Sequence, residues 1–410
     1  PSGYVLDSNM ISVKTDNGKA VFHLQDKPVS ALLEMEIEKQ SMDAVDNPAP
    51  LSGAEFTVSF YDTSYDTVDV SSLKPERTWV IVTKKDETTG KYITKLNQDY
   101  LVSGDAFYLN EEGIPVLPLG VLSIQETRAP EGYTLEHTLT RLVNGKEETV
   151  TETGGTALFP IVKNSSSTAA VISSQKFRYV ENTARGGLKL QKHDTVTGTQ
   201  LQGNAENLTA VYRLINLNEY DVVMKVNDQM VCTADAGNAF DYLIVTDENG
   251  LWKSDLSFLQ TGKYRLEEIT APAGYVLRSD HDEYTTAIDF TVVENQYCDL
   301  TGVLGDEIMR GGFTVKKNDA DGEEKQGDTD LTTKLRLVNR SHHAVVVQGK
   351  TILPGGVVDM DGSGNGWFMT DENGWYASDD QLLPYGTYEL MEVEAPAGYR
   401  HSSLDRTVFT

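Results

Sequence analysis

The chain has 410 residues, more than one hydrophobic core usually serves, so we expect three or four domains and not one compact enzyme. Its formal net charge is -27 at pH 7, with 62 Asp and Glu against 35 Lys and Arg, and such a charge repels nucleic acid and anionic lipid. No apolar run suits a membrane span and no leader opens the chain, so we expect neither membrane insertion nor a signal peptide in this segment.

Residues 1–28 are predicted to be the last strands of a preceding module. Residues 1–4 match the end of an Ala-Pro-x-Gly-Tyr pattern that recurs three times further along the chain. Asp26 shares a strand face with Phe22 and Leu24, as a residue near the end of a last strand would. The sequence is therefore interpreted as a window on a longer array.

The first module, residues 29–184, carries two markers that recur in the later modules. In a short predicted strand, Lys39 is the last residue on the face that carries the apolar side chains. In a later predicted strand, Glu126 holds the same position. Glu126 also opens an eight-residue pattern, Glu-x-x-Ala-Pro-x-Gly-Tyr. This module has extra residues between the two markers, so it is predicted to be enlarged.

The second module, residues 185–308, and the third module, residues 309–410, repeat both markers. The recurring lysines and glutamates are Lys192 and Glu268 in the second module, and Lys317 and Glu392 in the third. A Thr-Asp-Glu-Asn-Gly segment precedes each of these glutamates, and Asn-Gly favours a tight hairpin turn. Short alternating segments separated by Gly, Asn and Asp predict an all-β sandwich for every module.

The markers also indicate a chemistry. A buried lysine and a buried glutamate are favoured in their uncharged forms, and a neutral amine beside a protonated acid is a nucleophile beside a proton donor. An acyl acceptor on the last strand would complete the set. Asn182 and Asp306 each lie just before an Arg-Gly-Gly step, Asn164 is an alternative in the first module, and Asp26 holds the corresponding place in the leading segment.

Together these motifs resemble the Cna B-type, SpaA-like (prealbumin-like) modules of Gram-positive surface proteins and pilins, over essentially the whole chain. The resemblance implies a tandem array of immunoglobulin-like β-sandwich domains, each locked by a self-formed isopeptide bond between a lysine and an Asn or Asp, with a glutamate as catalyst. Residue by residue, it implies that Lys39 joins Asn182 with Glu126 assisting, and that Lys192 joins Asp306 with Glu268 assisting.

Lys317 and Glu392 have no acceptor of this kind within the sequence. One hypothesis is that Asp26 of a neighbouring chain accepts Lys317. The alternative for all three lysine and glutamate pairs is a buried salt bridge with no covalent bond, although such a pair is often no more stable than an apolar replacement.

The predicted function is a structural stalk or pilus-shaft segment on the bacterial cell surface, with neighbouring modules or subunits of the same protein as partners. The alternative is an adhesin domain that recognises a host or matrix glycoprotein through the long stretch 135–175. No turnover enzyme, cofactor or metal site is expected. Cys232 and Cys298 are predicted to form either one disulfide or two buried thiols.

Overall fold

A computed structural model describes the following residues: 4–5, 18, 27–63, 69–143, 146–153, 156–163, 170–172, 176–277, 287–321, 329–401 and 406–410. Regular structure in these ranges consists of β-strands alone. Within them, no helix has the length and apolar character needed to cross a membrane. The chain divides into two compact units, Pro1–Ala184 and Arg185–Thr410.

The described residues of the first unit form seventeen strands. They are β1 (Tyr4–Val5), β2 (Lys27–Pro28), β3 (Ser30–Leu32), β4 (Glu36–Ser41), β5 (Glu55–Tyr61), β6 (Arg77–Val82), β7 (Lys84–Lys85), β8 (Tyr92–Lys95), β9 (Leu101–Gly104), β10 (Tyr108–Leu109), β11 (Pro115–Pro118), β12 (Gly120–Arg128), β13 (Tyr133–Val143), β14 (Lys146–Thr153), β15 (Thr156–Lys163), β16 (Ala170–Ile172) and β17 (Lys176–Thr183).

Two six-stranded sheets form the sandwich of this unit. One sheet has the order β16-β15-β12-β5-β6-β9, and the other has the order β14-β13-β17-β4-β8-β7. All pairs are antiparallel except β4 with β17, which run parallel. Alternate residues of each strand face the partner sheet, so Phe56 of one sheet packs edge-on against Tyr179 of the other with ring centroids 5.0 Å apart.

The second unit contains the remaining strands. They are β18 (Arg185–Asp194), β19 (Val211–Asn216), β20 (Val222–Val226), β21 (Gln229–Ala234), β22 (Ala239–Val245), β23 (Leu251–Lys253), β24 (Leu259–Gln260), β25 (Gly262–Thr270), β26 (Ala287–Val292), β27 (Tyr297–Asp306), β28 (Arg310–Gly311), β29 (Thr314–Lys316), β30 (Lys334–Asn339), β31 (Val345–Val347), β32 (Lys350–Ile352), β33 (Val357–Val358), β34 (Phe368–Met369), β35 (Trp375–Ala377), β36 (Leu383–Pro384), β37 (Tyr388–Glu394) and β38 (Arg406–Phe409).

The two largest apolar cores among the described residues of this unit belong to the second and third modules. Strands β18 to β27 enclose one core, which includes Leu190, Tyr212 and Leu266, and β18 again pairs parallel with β27. Strands β29 to β38 enclose the other, which includes Leu337 and Tyr388. Alternate residues of the strands point into each core, which is the tandem immunoglobulin-like sandwich arrangement that the sequence predicts.

The second and third modules are joined by a network of buried hydrogen bonds. Gln202 is 1% exposed; its side-chain Nε2 donates to Asp194 Oδ2 at 2.8 Å, and its Oε1 accepts the Val346 N–H at 3.0 Å. Gly203 has a φ of +57°, and a Cβ there would lie 1.8 Å from the Tyr385 carbonyl oxygen. Because both modules contribute to one network, the joint between them is closely packed.

Candidate crosslinking sites

The second module brings Lys192, Glu268 and Asp306 together in its core. Lys192 Nζ lies 2.8 Å from Glu268 Oε2 and 2.5 Å from Asp306 Oδ1. The exposed fractions of the three side chains are 1%, 7% and 5%. An amine and two carboxyl groups are therefore held in contact almost without access to water.

Strand register sets the position of the lysine and the aspartate. In the parallel pair of β18 and β27, Lys192 is opposite Leu304, and Asp194 is opposite Asp306. Residues two apart share a strand face, so the Asp306 carboxyl lies on the lysine's side of the sheet, one step further along. The first and last strands of the module thus meet at the cluster.

The Asn-Gly turn supports the lysine from outside the cluster. The Lys192 N–H donates to the Gly250 carbonyl at 2.8 Å. Gly250 has a φ of +78°, and a Cβ there would lie 2.6 Å from the Lys192 carbonyl oxygen. Glycine is needed here for both reasons, so the recurring turn motif helps to hold the lysine strand in place.

Burial changes the acid strength of the glutamate. It raises the pKa of Glu268 to about 7 from an ordinary value of 4.5; nearby Lys192 lowers this pKa and the Asp306 carboxyl raises it further. A group with a pKa near 7 both gives and accepts a proton at neutral pH. Burial also raises the pKa of Tyr212 far above its usual range, so this neighbouring ring stays neutral.

The first module has a cluster of the same kind around Lys39. Its Nζ lies 2.7 Å from Glu126 Oε1 and contacts Glu181 Oε1, and none of the three side chains is exposed. The rings of Phe56 and Tyr179 lie beside the amine, with centroids 5.1 and 5.2 Å from Nζ. The lysine and glutamate that the sequence pairs are therefore in contact.

The structure does not place the predicted acceptor Asn182 in this cluster. Glu181 points into the core from β17, and strand alternation puts its neighbour Asn182 on the opposite face, where it is partly exposed. The carboxyl group that contacts Lys39 thus belongs to Glu181. Asn164, the alternative acceptor, and Asp26 lie outside the described residues.

In the third module, Lys317 Nζ lies 2.9 Å from Glu392 Oε2. The glutamate side chain is 3% exposed, but the lysine side chain is 25% exposed. In the part of the chain that the structure describes, strand β29 pairs with β35 alone, whereas β18 also pairs with a parallel last strand. The pair therefore forms here without the enclosure seen in the other modules.

The two cysteines are free thiols in the structure. Cys232 lies on β21, which pairs with β20, and Cys298 lies on β27, which pairs with β18. Both are half-buried, and burial raises the pKa of each thiol above its ordinary value. The second module thus contains two half-buried thiols in the structure.

Residues 186–301 match the family model described as "SpaA: Prealbumin-like fold domain". The second module is therefore similar to SpaA-type prealbumin-like domains, and it is the SpaA-type module of this chain. Its family match covers the lysine, the glutamate and the start of the last strand. No curated protein sequence matches the chain.

Three solved structures of bacterial proteins are similar to this chain at low sequence identity. The Bacillus anthracis TIE protein is 18% identical with a TM-score of 0.45, covering 94% of this chain and 49% of that one. The major pilin subunit BcpA of Bacillus cereus is 13% identical with a TM-score of 0.26, covering 92% of each chain. The minor pilin of Streptococcus agalactiae is 14% identical with a TM-score of 0.23, covering 67% of this chain and 96% of that one. This chain spans about half the length of the TIE structure.

The layout of the SpaA-type module recurs in the other two modules. Its Glu268 lies on a strand that pairs antiparallel with the strand carrying Tyr212. The same pairing places Glu126 opposite Phe56 in the first module and Glu392 opposite Leu335 in the third. The repeated motifs of the sequence thus mark one repeated architecture.

Sequence reasoning missed Glu181, although a signal for it was present. Phe177, Tyr179 and Glu181 alternate along β17, and all three are buried. The same alternation rule that assigned Lys39 and Glu126 would have assigned Glu181 to the core. The search for an Asn or Asp just before the Arg-Gly-Gly step favoured Asn182 instead.

Proposed function

We propose that this chain is part of an extracellular stalk or pilus shaft on a bacterial cell surface, and that its modules are locked by amide bonds formed by their own side chains. The supporting observation is the buried cluster of Lys192, Glu268 and Asp306, which connects the first and last strands of the SpaA-type module. Its partners are neighbouring modules or subunits of the same surface protein.

The proposed reaction joins Lys192 Nζ to Asp306 Cγ. The neutral amine attacks the protonated carboxyl group, and one nitrogen proton passes through Glu268 to the departing hydroxyl, so that one water leaves. Glu268 ends in the protonation state in which it began. The contact distances of 2.8 and 2.5 Å place all three groups within reach of one another, and no added cofactor is required.

The bond would change the path of force through the module. Tension enters β18 at Arg185, reaches Lys192, crosses the amide to Asp306 and leaves at the end of β27. The chain between Lys192 and Asp306, which contains most of the core, would then carry no load. A series of modules of this kind suits a filament that is pulled from its tip.

Intact-mass spectrometry with peptide mapping tests the proposal. Under reducing conditions the second module should be lighter by one water, and the tryptic peptide that contains Asp306 should be joined to the Lys192 peptide. Glu268→Ala should restore the unmodified mass. Glu267→Ala is the matched control, because Glu267 faces outward and pairs with Arg213 at 2.6 Å. An unmodified wild-type second module would refute the crosslink and leave a buried ion cluster.

A second candidate function is an adhesin, and the shape of the first module favours it. The described residues of the stretch 135–175 form most of β13 together with β14, β15 and β16, and β14 and β16 are each one of the two edge strands of a six-stranded sheet. The insertion therefore adds sheet surface that the SpaA-type module lacks. Saturable binding of a matrix glycoprotein such as fibronectin to the intact chain, measured by surface plasmon resonance, would support this function, and the absence of binding by a panel of matrix glycoproteins would count against it.

A further inference from the structure

Glu181 occupies in the first module the position that Asp306 occupies in the second. In the parallel pair of β4 and β17, Lys39 is opposite Tyr179, and the residue two positions further along β17 is Glu181. The parallel pair of the second module has the same offset between Lys192 and Asp306. The two carboxyl groups therefore reach their lysines from equivalent backbone positions.

The surroundings of Lys39 are more enclosed than those of Lys192. Lys39, Glu126 and Glu181 all have side-chain exposures of 0%, against 1%, 7% and 5% in the second module. One oxygen of each glutamate contacts the amine, and two aromatic rings flank it. Water is thus excluded from the side of the cluster where an amide would form.

The charge balance of the cluster is compatible with the reactive forms of these groups. One ammonium and two carboxylates would carry a net charge of minus one in a place without solvent, and such burial is costly. Uptake of a proton makes the cluster neutral, and a neutral cluster can place its protons either on Lys39 and one glutamate or on both glutamates. The second arrangement has a free amine next to a carboxylic acid, which are the two reactants of amide formation.

We infer that Lys39 and Glu181 form a γ-glutamyl amide, so that the acceptor in the first module is a glutamate and not an Asn or Asp. This inference rests on the proposed self-crosslinking function and names a different acceptor class for it. Lys39 Nζ bonds to Glu181 Cδ, and the Cδ–hydroxyl bond breaks. One nitrogen proton reaches the departing hydroxyl through Glu126 and leaves as water; the other stays on the amide.

The bond would tie β4 to β17, two strands whose crosslinked residues are 142 positions apart in the sequence. Tension entering at Glu36 would pass from Lys39 to Glu181 and leave at the end of β17. The enlarged first module would therefore be bypassed by force in the same manner as the second, including the insertion that adds the outer strands.

Tryptic mapping of the intact wild-type chain tests the inference without any variant. Cleavage after Arg178 and Arg185 releases the seven-residue peptide Tyr179–Arg185, which contains both Glu181 and Asn182. We expect this peptide to be joined to the Lys39 peptide, with the loss of one water and with fragment ions that place the branch at Glu181. Loss of one ammonia with the branch at Asn182 would overturn the inference, as would an unbranched peptide.

Variants separate this inference from the proposed function. Glu181→Ala should abolish the first-module bond, Glu181→Gln should form it with loss of ammonia in place of water, and Asn182→Ala should leave it unchanged. Asp306→Ala should remove only the second-module bond. If the second module is crosslinked and the first is not, the glutamate acceptor is wrong while the proposed function stands. If neither module is crosslinked, both fail.

Discussion

Replacing Glu268 by Gln isolates the contribution of the second-module crosslink to stability. The variant keeps the size of the side chain but removes the group that carries protons, so the amide should not form. Lys192 and Asp306 would then remain as a neutral ion pair at 2.5 Å, which keeps the buried charges balanced. The module should therefore still fold, and its loss of stability should report on the missing covalent bond.

The expected loss follows from the loop that the bond closes. A crosslink that closes a loop of roughly 110 residues lowers the entropy of the unfolded chain enough to stabilise the fold by about 5 kcal/mol, if the chain-entropy estimate for disulfides transfers to amides. At about 1.4 kcal/mol for each factor of ten, this corresponds to a several-thousandfold change in the population of the unfolded module. Native interactions are otherwise preserved, so the loss should appear throughout the module.

Hydrogen–deuterium exchange of the intact chain measures this change module by module. Amides of β18 and β27 that exchange only by unfolding of the module should exchange several thousandfold faster in Glu268→Gln, while the first module serves as an internal reference. Glu267→Gln is the matched control, and its surface ion pair with Arg213 is worth at most about 1 kcal/mol. Exchange within tenfold of the wild type in a variant whose mass shows no crosslink would refute the entropy argument. A persisting crosslink would refute the role of Glu268.

Three further predictions concern other parts of the chain. Gln202→Ala should break the joint between the second and third modules, because it removes two buried hydrogen bonds at a cost of about 1–3 kcal/mol. The distance distribution from small-angle scattering should broaden in this variant but not in the control Gln200→Ala, whose residue is exposed. An unchanged distribution in Gln202→Ala would show that the joint does not depend on this side chain. Burial raises the pKa of Cys232 and Cys298, so less of each thiol is ionised at pH 8 and iodoacetamide should label the native chain more slowly than the denatured chain. The denatured chain should take two labels without reductant, whereas no label would indicate a disulfide. Lys317, whose side chain is 25% exposed, should be acetylated by a water-soluble active ester to a far higher degree than the buried lysines of the first two modules, and equal protection would contradict its partial exposure.

The inward direction of the reactive lysines and glutamates could be read from the sequence because strand alternation is local. Lys39 and Lys192 each share a strand face with apolar residues two and four positions earlier, which assigns them to the core. The same alternation assigns Glu126 and Glu268 to the core, and the structure places all four residues there. Three copies of one eight-residue pattern were enough to indicate repeated sandwiches. These features depend on residues within a few positions of one another.

The partners of those side chains depend on pairing between distant strands. Alternation along β17 indicates that Glu181 and not Asn182 faces the core, but only the parallel register with β4 decides that Glu181 meets Lys39, and these residues lie 142 positions apart in the sequence. The stretch 135–175, which the sequence suggested as a binding insertion, supplies strands β14, β15 and β16, and these strands pair within the two six-stranded sheets.

The joint at Gln202 is the clearest case that only the tertiary structure decides. Its side chain bridges Asp194, eight residues away, and Val346, in another module, and nothing in the local sequence distinguishes it from the exposed Gln200. Alternation along a strand is set by the covalent geometry of the chain and so can be read from residue order. The register between strands and the contacts between modules arise from packing of surfaces that meet only after the chain has folded.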